Sequence, residues 1–177
     1  AQREGLVPGT CGGDAPLRAS LGTAYRPGLT SAGVSAKLKH SAGYSVCRAA
    51  RNHGPSSMGR RELADVMLPP FEMAVRLAGA DSVMNSYSDV DGVSAAADTW
   101  LLTELLRDTW GFRGTVVSDY WAVPFLASMH RVAADIDDAG AKSLREGLDV
   151  QLPDTLGFRQ HLAERAARGD LDAGAIS

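Results

Sequence analysis

One carboxylate stands out by its setting. Asp119 follows the run Thr115–Ser118, a β-branched apolar stretch that ends abruptly in a polar pair. An acid at a strand end can act as a nucleophile or a proton carrier when that end faces a cavity. Two other strand ends carry similar groups: Lys39 and His40 close the run Val34–Lys39, and Asn85 and Tyr87 close the run Asp81–Asn85. An ammonium supplies only donors, whereas a neutral imidazole donates or accepts, so Lys39 and His40 together suit a pair of neighbouring hydroxyl groups. Plainer readings stand beside these. Asp119 serves equally well as the cap of a following helix. His40 reads first as a satisfied half-buried histidine, Lys39 as an exposed strand end, and Met84 as a core residue.

The elements that must position these groups follow from periodicity. Four short β-type runs, the three above and Leu148–Leu152, are each followed by a longer stretch of helical period, which implies parallel βα units. Residues 60–77 put Leu63, Met67, Phe71, Ala74 and Val75 near one helical face, and Pro69 and Pro70 must kink or restart that helix. Residues 96–110 bring Trp100, Leu101, Leu105 and Leu106 together before Gly111, a natural terminator. Residues 133–148 read as a helix with Asp135, Asp137 and Asp138 in its first turn, and residues 156–168 as another. Residues 41–57, SAGYSVCRAARNHGPSS, are rich in small residues without a steady period and read as a long loop at the carboxyl-end face. Four βα units are half of an eight-stranded barrel, for which about 250 residues is typical. The chain therefore reads as incomplete, with open sheet edges that predict poor solubility.

Composition narrows the class. The 177 residues are 45% hydrophobic and 22% charged, enough apolar material for one globular domain. Net charge is −3 and no basic cluster tracks phosphates, which argues against nucleic acid. No apolar run approaches the roughly 20 residues that cross a bilayer. The two cysteines, Cys11 and Cys47, have no metal-ligand spacing and read as incidental thiols. The opening AQREGLVPGT has neither a basic start nor an apolar signal core, and reads as an end set by processing or truncation.

The runs KLKHSAGY, RRELADVMLPPFEMAV, AGADSVMNSYSDVDG, LLTELLRDTWGFRGTVVSDYWAV and EGLDVQLP resemble, in order and spacing, successive signatures of the glycoside hydrolase family 3 catalytic barrel of β-glucosidases and β-xylosidases. The resemblance runs from about Leu17 to Gly169, so residues 1–16 read as a divergent segment and 17–177 as a partial barrel domain. It implies an α/β fold, roughly the C-terminal four βα units of a (β/α)8 barrel. It also implies a retaining β-glycosidase acting on terminal β-D-glucosyl or β-D-xylosyl residues. Asp119 matches the nucleophile; Lys39, His40, Met84, Tyr87 and Tyr120 match sugar-contacting positions. No metal or organic cofactor is implied. Tyr120 or Trp121 would wall the sugar, with Trp121 alternatively buried against Phe125.

The departures matter as much. Leu6 stands where a sugar-binding Arg is expected, and Ser41 where the family mostly has Phe. Most of the family draws its proton donor, a Glu, from a following α/β sandwich domain, the partner implied here. A chain holding the nucleophile alone should hydrolyse ordinary glycosides poorly, since general acid help is worth roughly 10²–10⁴ in rate. Arg48, Arg51, Asn52 and His53 stand in a loop where substrate contacts vary. His53 could supply the acid as in the N-acetylglucosaminidase branch, although that branch's Gly-His-Gly-Asp pattern is absent. Two rivals remain: an inactive carbohydrate-binding remnant, and an aldolase-like barrel with Lys39 as a Schiff-base amine.

Overall fold

The structure, a computed structural model, describes residues 14–48, 51–172 and 174. Cys11, Leu6 and nearly all of the divergent segment lie outside them. Three strands, β1 (Lys37–Ser41), β2 (Ser82–Asn85) and β5 (Thr115–Val117), form a parallel sheet in the order β1-β2-β5. The sheet and its helical crossovers make an α/β fold, as the alternating pattern implies. The fourth predicted strand, Leu148–Leu152, is reduced to a single parallel bridge between Val150 and Val117. Asp149 explains the reduction. Its carboxylate accepts from the Val116 N–H at 2.6 Å and from Arg107 at 2.7 Å, so a side chain occupies part of the ladder.

Helix α1 (Ala15–Ser31) was not expected, because Gly22, Pro27 and Gly28 all weaken a helical reading. Its start is well made: the Asp14 side chain accepts from the Leu17 N–H at 2.9 Å, and a Pro occupies the first turn. Tertiary contact then overrides propensity. The helix packs on α3 (Pro69–Arg76), and Arg26 reaches Asp81, at the foot of β2, at 3.0 Å. The expected kink before α3 takes the form of a short α2 (Gly59–Glu62), a π-wound turn over Leu63–Met67, and a restart at Pro69.

Trp100–Thr109 is also π-wound and ends at Trp110, with Gly111 at φ +73°. Leu102, which stands three and four residues before Leu105 and Leu106 and so shares their face, is fully buried, whereas Trp100 and Leu105 are only partly so. Helix α5 (Ile136–Arg145) is capped by Asp135, whose side chain accepts from the Asp138 N–H, and α6 covers Gln160–Ala167.

Two further elements went unread in the sequence. Strands β3 (Asp89–Val90) and β4 (Val93–Ser94) form a hairpin whose turn residues, Asp91 and Gly92, both have positive φ. The Asp91 carboxylate accepts from the N–H groups of Met58 and Gly59, pinning the end of the long loop to the hairpin. Helix α4 (Ala122–Ser128) begins three residues after Asp119 and buries Ala122, Val123 and Leu126.

The main core fills the space between the sheet's outer face and the helices; Val83, Val116, Leu102, Leu126 and Leu148 are its most enclosed members. Because side chains alternate along a strand, Met84, Val117 and Asp119 point away from that core. Leu126→Ala would open a cavity in the core under α4, the helix that begins three residues after Asp119. It should lower unfolding stability by about 2–5 kcal/mol, read from the denaturant midpoint.

Candidate active site

Asp119 sits two residues beyond β5 and is 8% exposed. A carboxylate so enclosed costs several kcal/mol unless donors surround it. Three supply that need. The Tyr120 N–H donates to Oδ1 at 2.8 Å, the His40 imidazole lies with Nε2 3.2 Å from Oδ2, and the Tyr87 hydroxyl hydrogen-bonds the carboxylate. Each comes from a different strand end. The backbone is fixed as well: the Asp119 N–H donates to the Asn85 side chain at 3.3 Å, and the Asn85 amide donates to the Ser86 carbonyl at 2.7 Å.

The local sequence explains how these groups are aimed. Between Leu38 and Ser41, β1 advances three residues while β2 advances two, a bulge at Lys39 and His40. A bulge re-aims side chains, and here His40 turns toward Asp119 while Lys39 stays exposed. The His40 ring packs beside Tyr44, with centroids 4.6 Å apart. Ser41 is buried, and its carbonyl accepts from the Ser86 N–H at 2.7 Å; backbone bonding holds the place where an apolar Phe was expected.

Tyr87 is the most perturbed group. Burial first, then the negative Asp119 and the hydrogen bond to it, hold its phenol well above the usual range, against an opposing Tyr120 N–H. The hydroxyl therefore stays protonated and acts as a donor. His53 packs edge-on against the Tyr87 ring at 4.4 Å, and Phe125 lies 5.1 Å from His53 and 5.6 Å from Tyr87.

Met84 is buried on the sheet face shared with Asp119 and takes no part in the main core. Tyr120 and Trp121 are each 48% exposed and meet edge-on at 5.9 Å. Trp121 is thus held outward in a left-handed conformation, φ +61°, with its N–H donating to Leu152 O; it is not buried against Phe125. The structure brings Asp119, His40, Tyr87 and the Tyr120 backbone together. It leaves Lys39 exposed, Met84 buried on the same face, and the Tyr120 ring at the rim. Among the described residues no group of three His, Cys, Asp or Glu side chains is arranged to hold a metal ion, and no helix is long and apolar enough to cross a membrane.

Sequence reading missed His130. Its Nε2 lies 3.0 Å from the Tyr87 carbonyl, so it donates there and fixes the residue that holds the carboxylate. No strand-end position marks it, since it lies beyond α4. Burial pulls its pKa down from the ordinary 6.5. The native fold thus favours the neutral ring and unfolding takes up a proton, so His130 costs stability as pH falls through 6.5 and costs nothing above it. The difference in unfolding midpoint between the wild type and His130→Gln should therefore shift against the wild type between pH 8 and pH 5, as read by thermal melts.

Comparison with known proteins identifies the family. The glycosyl hydrolase family 3 N terminal domain profile matches residues 3–177. A β-xylosidase of Formosa agariphila is 40% identical over 158 residues, covering 85% of this chain and 22% of the relative. A β-glucosidase of Rhizobium radiobacter is 34% identical over 140 residues, 79% of this chain and 15% of its own length. Among solved structures, a Listeria innocua β-glucosidase in complex with glucose superposes with a TM-score of 0.91 at 29% identity, over 98% of this chain and 25% of that one. An Erythrobacter marinus β-glucosidase gives 0.87 at 35% identity, over 92% of this chain and 22% of that one. The chain spans about a fifth of the length of these relatives, and its parallel sheet with flanking helices is part of their barrel. It belongs to glycosyl hydrolase family 3, within that family's N-terminal domain.

Proposed function

We propose that this chain is the nucleophile-bearing part of a retaining β-glycosidase acting on terminal β-D-glucosyl or β-D-xylosyl residues. The observation that carries the reading is the enclosed Asp119 carboxylate, held by His40, Tyr87 and the Tyr120 N–H at the carboxyl end of a parallel strand. A carboxylate fixed there attacks the anomeric carbon of a bound sugar and forms a glycosyl ester, which water then hydrolyses. As the ester forms, negative charge leaves Asp119, and the Tyr87 donor that matched it becomes free to follow the sugar's oxygens. Lys39, His40 and Met84 supply hydroxyl contacts and an apolar floor, and the Tyr120 ring forms a wall at the rim. Residues 17–177 form the partial barrel domain, and the leaving-group proton comes from a Glu of a following α/β sandwich domain.

A second reading has one observation in its favour. The His53 ring packs on Tyr87, one side chain away from Asp119, where an imidazole could protonate a leaving group in a one-domain N-acetylglucosaminidase-like enzyme. His53→Ala separates the two. A proton donor's loss would slow alkyl glycosides by roughly 10²–10⁴ and spare activated aryl glycosides, whereas the first reading expects both to change alike.

The nucleophile itself can be trapped without any acid. A 2,4-dinitrophenyl 2-deoxy-2-fluoro-β-glycoside should leave its fluorosugar covalently on the peptide containing Asp119, detected by mass spectrometry. Asp119→Asn should show no adduct. An unlabelled wild-type chain would leave the carbohydrate-binding remnant as the better description, and only borohydride trapping of a carbonyl substrate on Lys39 would revive the Schiff-base rival.

A further inference from the structure

Beside the site lies a cleft of about 500 Å³ lined by Arg48, Arg51, Asn52, His53, Gly54 and Pro55. Its size lies within the range of small-ligand sites. No acidic residue lines it, although the chain as a whole carries a net charge of −3. Neither Arg48 nor Arg51 is ion-paired with a carboxylate among the described residues, whereas Arg26, Arg61, Arg76, Arg107 and Arg168 each are. Among the described residues the two guanidinium groups thus face the cleft with no carboxylate partner.

The cleft is built by local backbone bonding. The Arg48 N–H donates to Pro55 O at 2.9 Å, the Arg51 N–H to Arg48 O at 3.2 Å, and the Gly54 N–H to Arg51 O at 2.9 Å. A Cβ on Gly54 would meet Arg48 O at 2.8 Å, so glycine permits the chain to fold back on itself here. The Arg48 guanidinium is steadied by donating to the Ser57 hydroxyl at 3.3 Å. The cleft also shares a wall with the reactive centre. The ring of His53 packs on Tyr87, and the Tyr87 hydroxyl bonds Asp119. A group in the cleft would thus lie one ring away from Tyr87, the residue that bonds Asp119.

We infer that the cleft binds a carboxylate carried by the aglycone, so that the preferred substrates are β-glycosides with an anionic leaving group. The inference rests on the glycosidase reading of Asp119. Arginine suits this ligand because its planar fork matches the two oxygens of a carboxylate. His53 closes the inner wall and Asn52 adds an amide that can donate or accept.

The test uses the 177-residue chain and two matched probes, 4-carboxyphenyl β-D-xyloside and its neutral isostere 4-carbamoylphenyl β-D-xyloside. Their dissociation constants are compared by titration calorimetry at low and high salt, with 4-hydroxybenzoate alone as a third ligand. The carboxylate should bind about tenfold more tightly than the amide, a difference of 1.4 kcal/mol. High salt should erode that preference. Arg51→Gln and Arg48→Gln should each reduce it while leaving affinity for the amide unchanged, and Arg51→Lys should retain part of it. Equal binding of the two xylosides would overturn the cleft's role and leave the glycosidase reading standing. Binding of 4-hydroxybenzoate together with failure of Asp119 to be labelled by the fluorosugar would uphold the cleft and remove that reading. Binding of none of the three ligands would overturn the assignment.

Discussion

The structure is organised around keeping one carboxylate charged in a place that water barely reaches. Asp119 is 8% exposed, and a charge withdrawn from solvent to that degree must be matched by donors. His40 comes from β1, Tyr87 from the segment after β2, and the Tyr120 N–H from the turn that follows Asp119 itself. Three strand ends must therefore be held in fixed register. The bulge in β1 aims His40, Asn85 fixes the Asp119 backbone, and His130 fixes the Tyr87 carbonyl. The fully buried Val123 and Leu126 then seat the helix that begins just beyond the carboxylate.

Much of this arrangement is legible in the sequence because it depends on local pattern. Three of the four predicted strands form as β1, β2 and β5, and the two prolines restart α3 as their chemistry requires. The positions at the ends of those strands converge because parallel strands bring their carboxyl ends to one edge. What was not legible depends on contacts between distant residues. The expected strand at Leu148–Leu152 gives way to a bridge because Asp149 binds the Val116 N–H with its side chain. Helix α1 forms in spite of its glycines and Pro27 because it docks on α3 and ties Arg26 to Asp81. His130 and the β3–β4 hairpin lie outside the strand ends. The Asp91-Gly92 pair was nonetheless a usable turn signal.

The same contrast runs through the site. Residue type suggested that His40 and Lys39 would act as a pair, yet the bulge separates them into a bound imidazole and an exposed ammonium. Trp121 could be read as a wall for the sugar or as buried against Phe125, and the left-handed turn presents it to solvent beside Tyr120. Under the proposed role this division has a chemical logic. The carboxylate and the groups that hold it need sub-ångström placement and sit at or just beyond the strand ends. The aromatic pair that would wall the sugar and the arginine cleft that would meet the leaving group sit on loops and rims, where substitution leaves the sheet undisturbed.

The reading of Asp119 as a nucleophile turns on one distance. A crystal of the chain grown with glucose or xylose should show the anomeric carbon about 3–3.5 Å from an Asp119 carboxylate oxygen, with His40 and Tyr87 still bonded to that carboxylate. A sugar seated at the rim aromatics with its anomeric carbon turned away from Asp119 would contradict the glycosidase assignment.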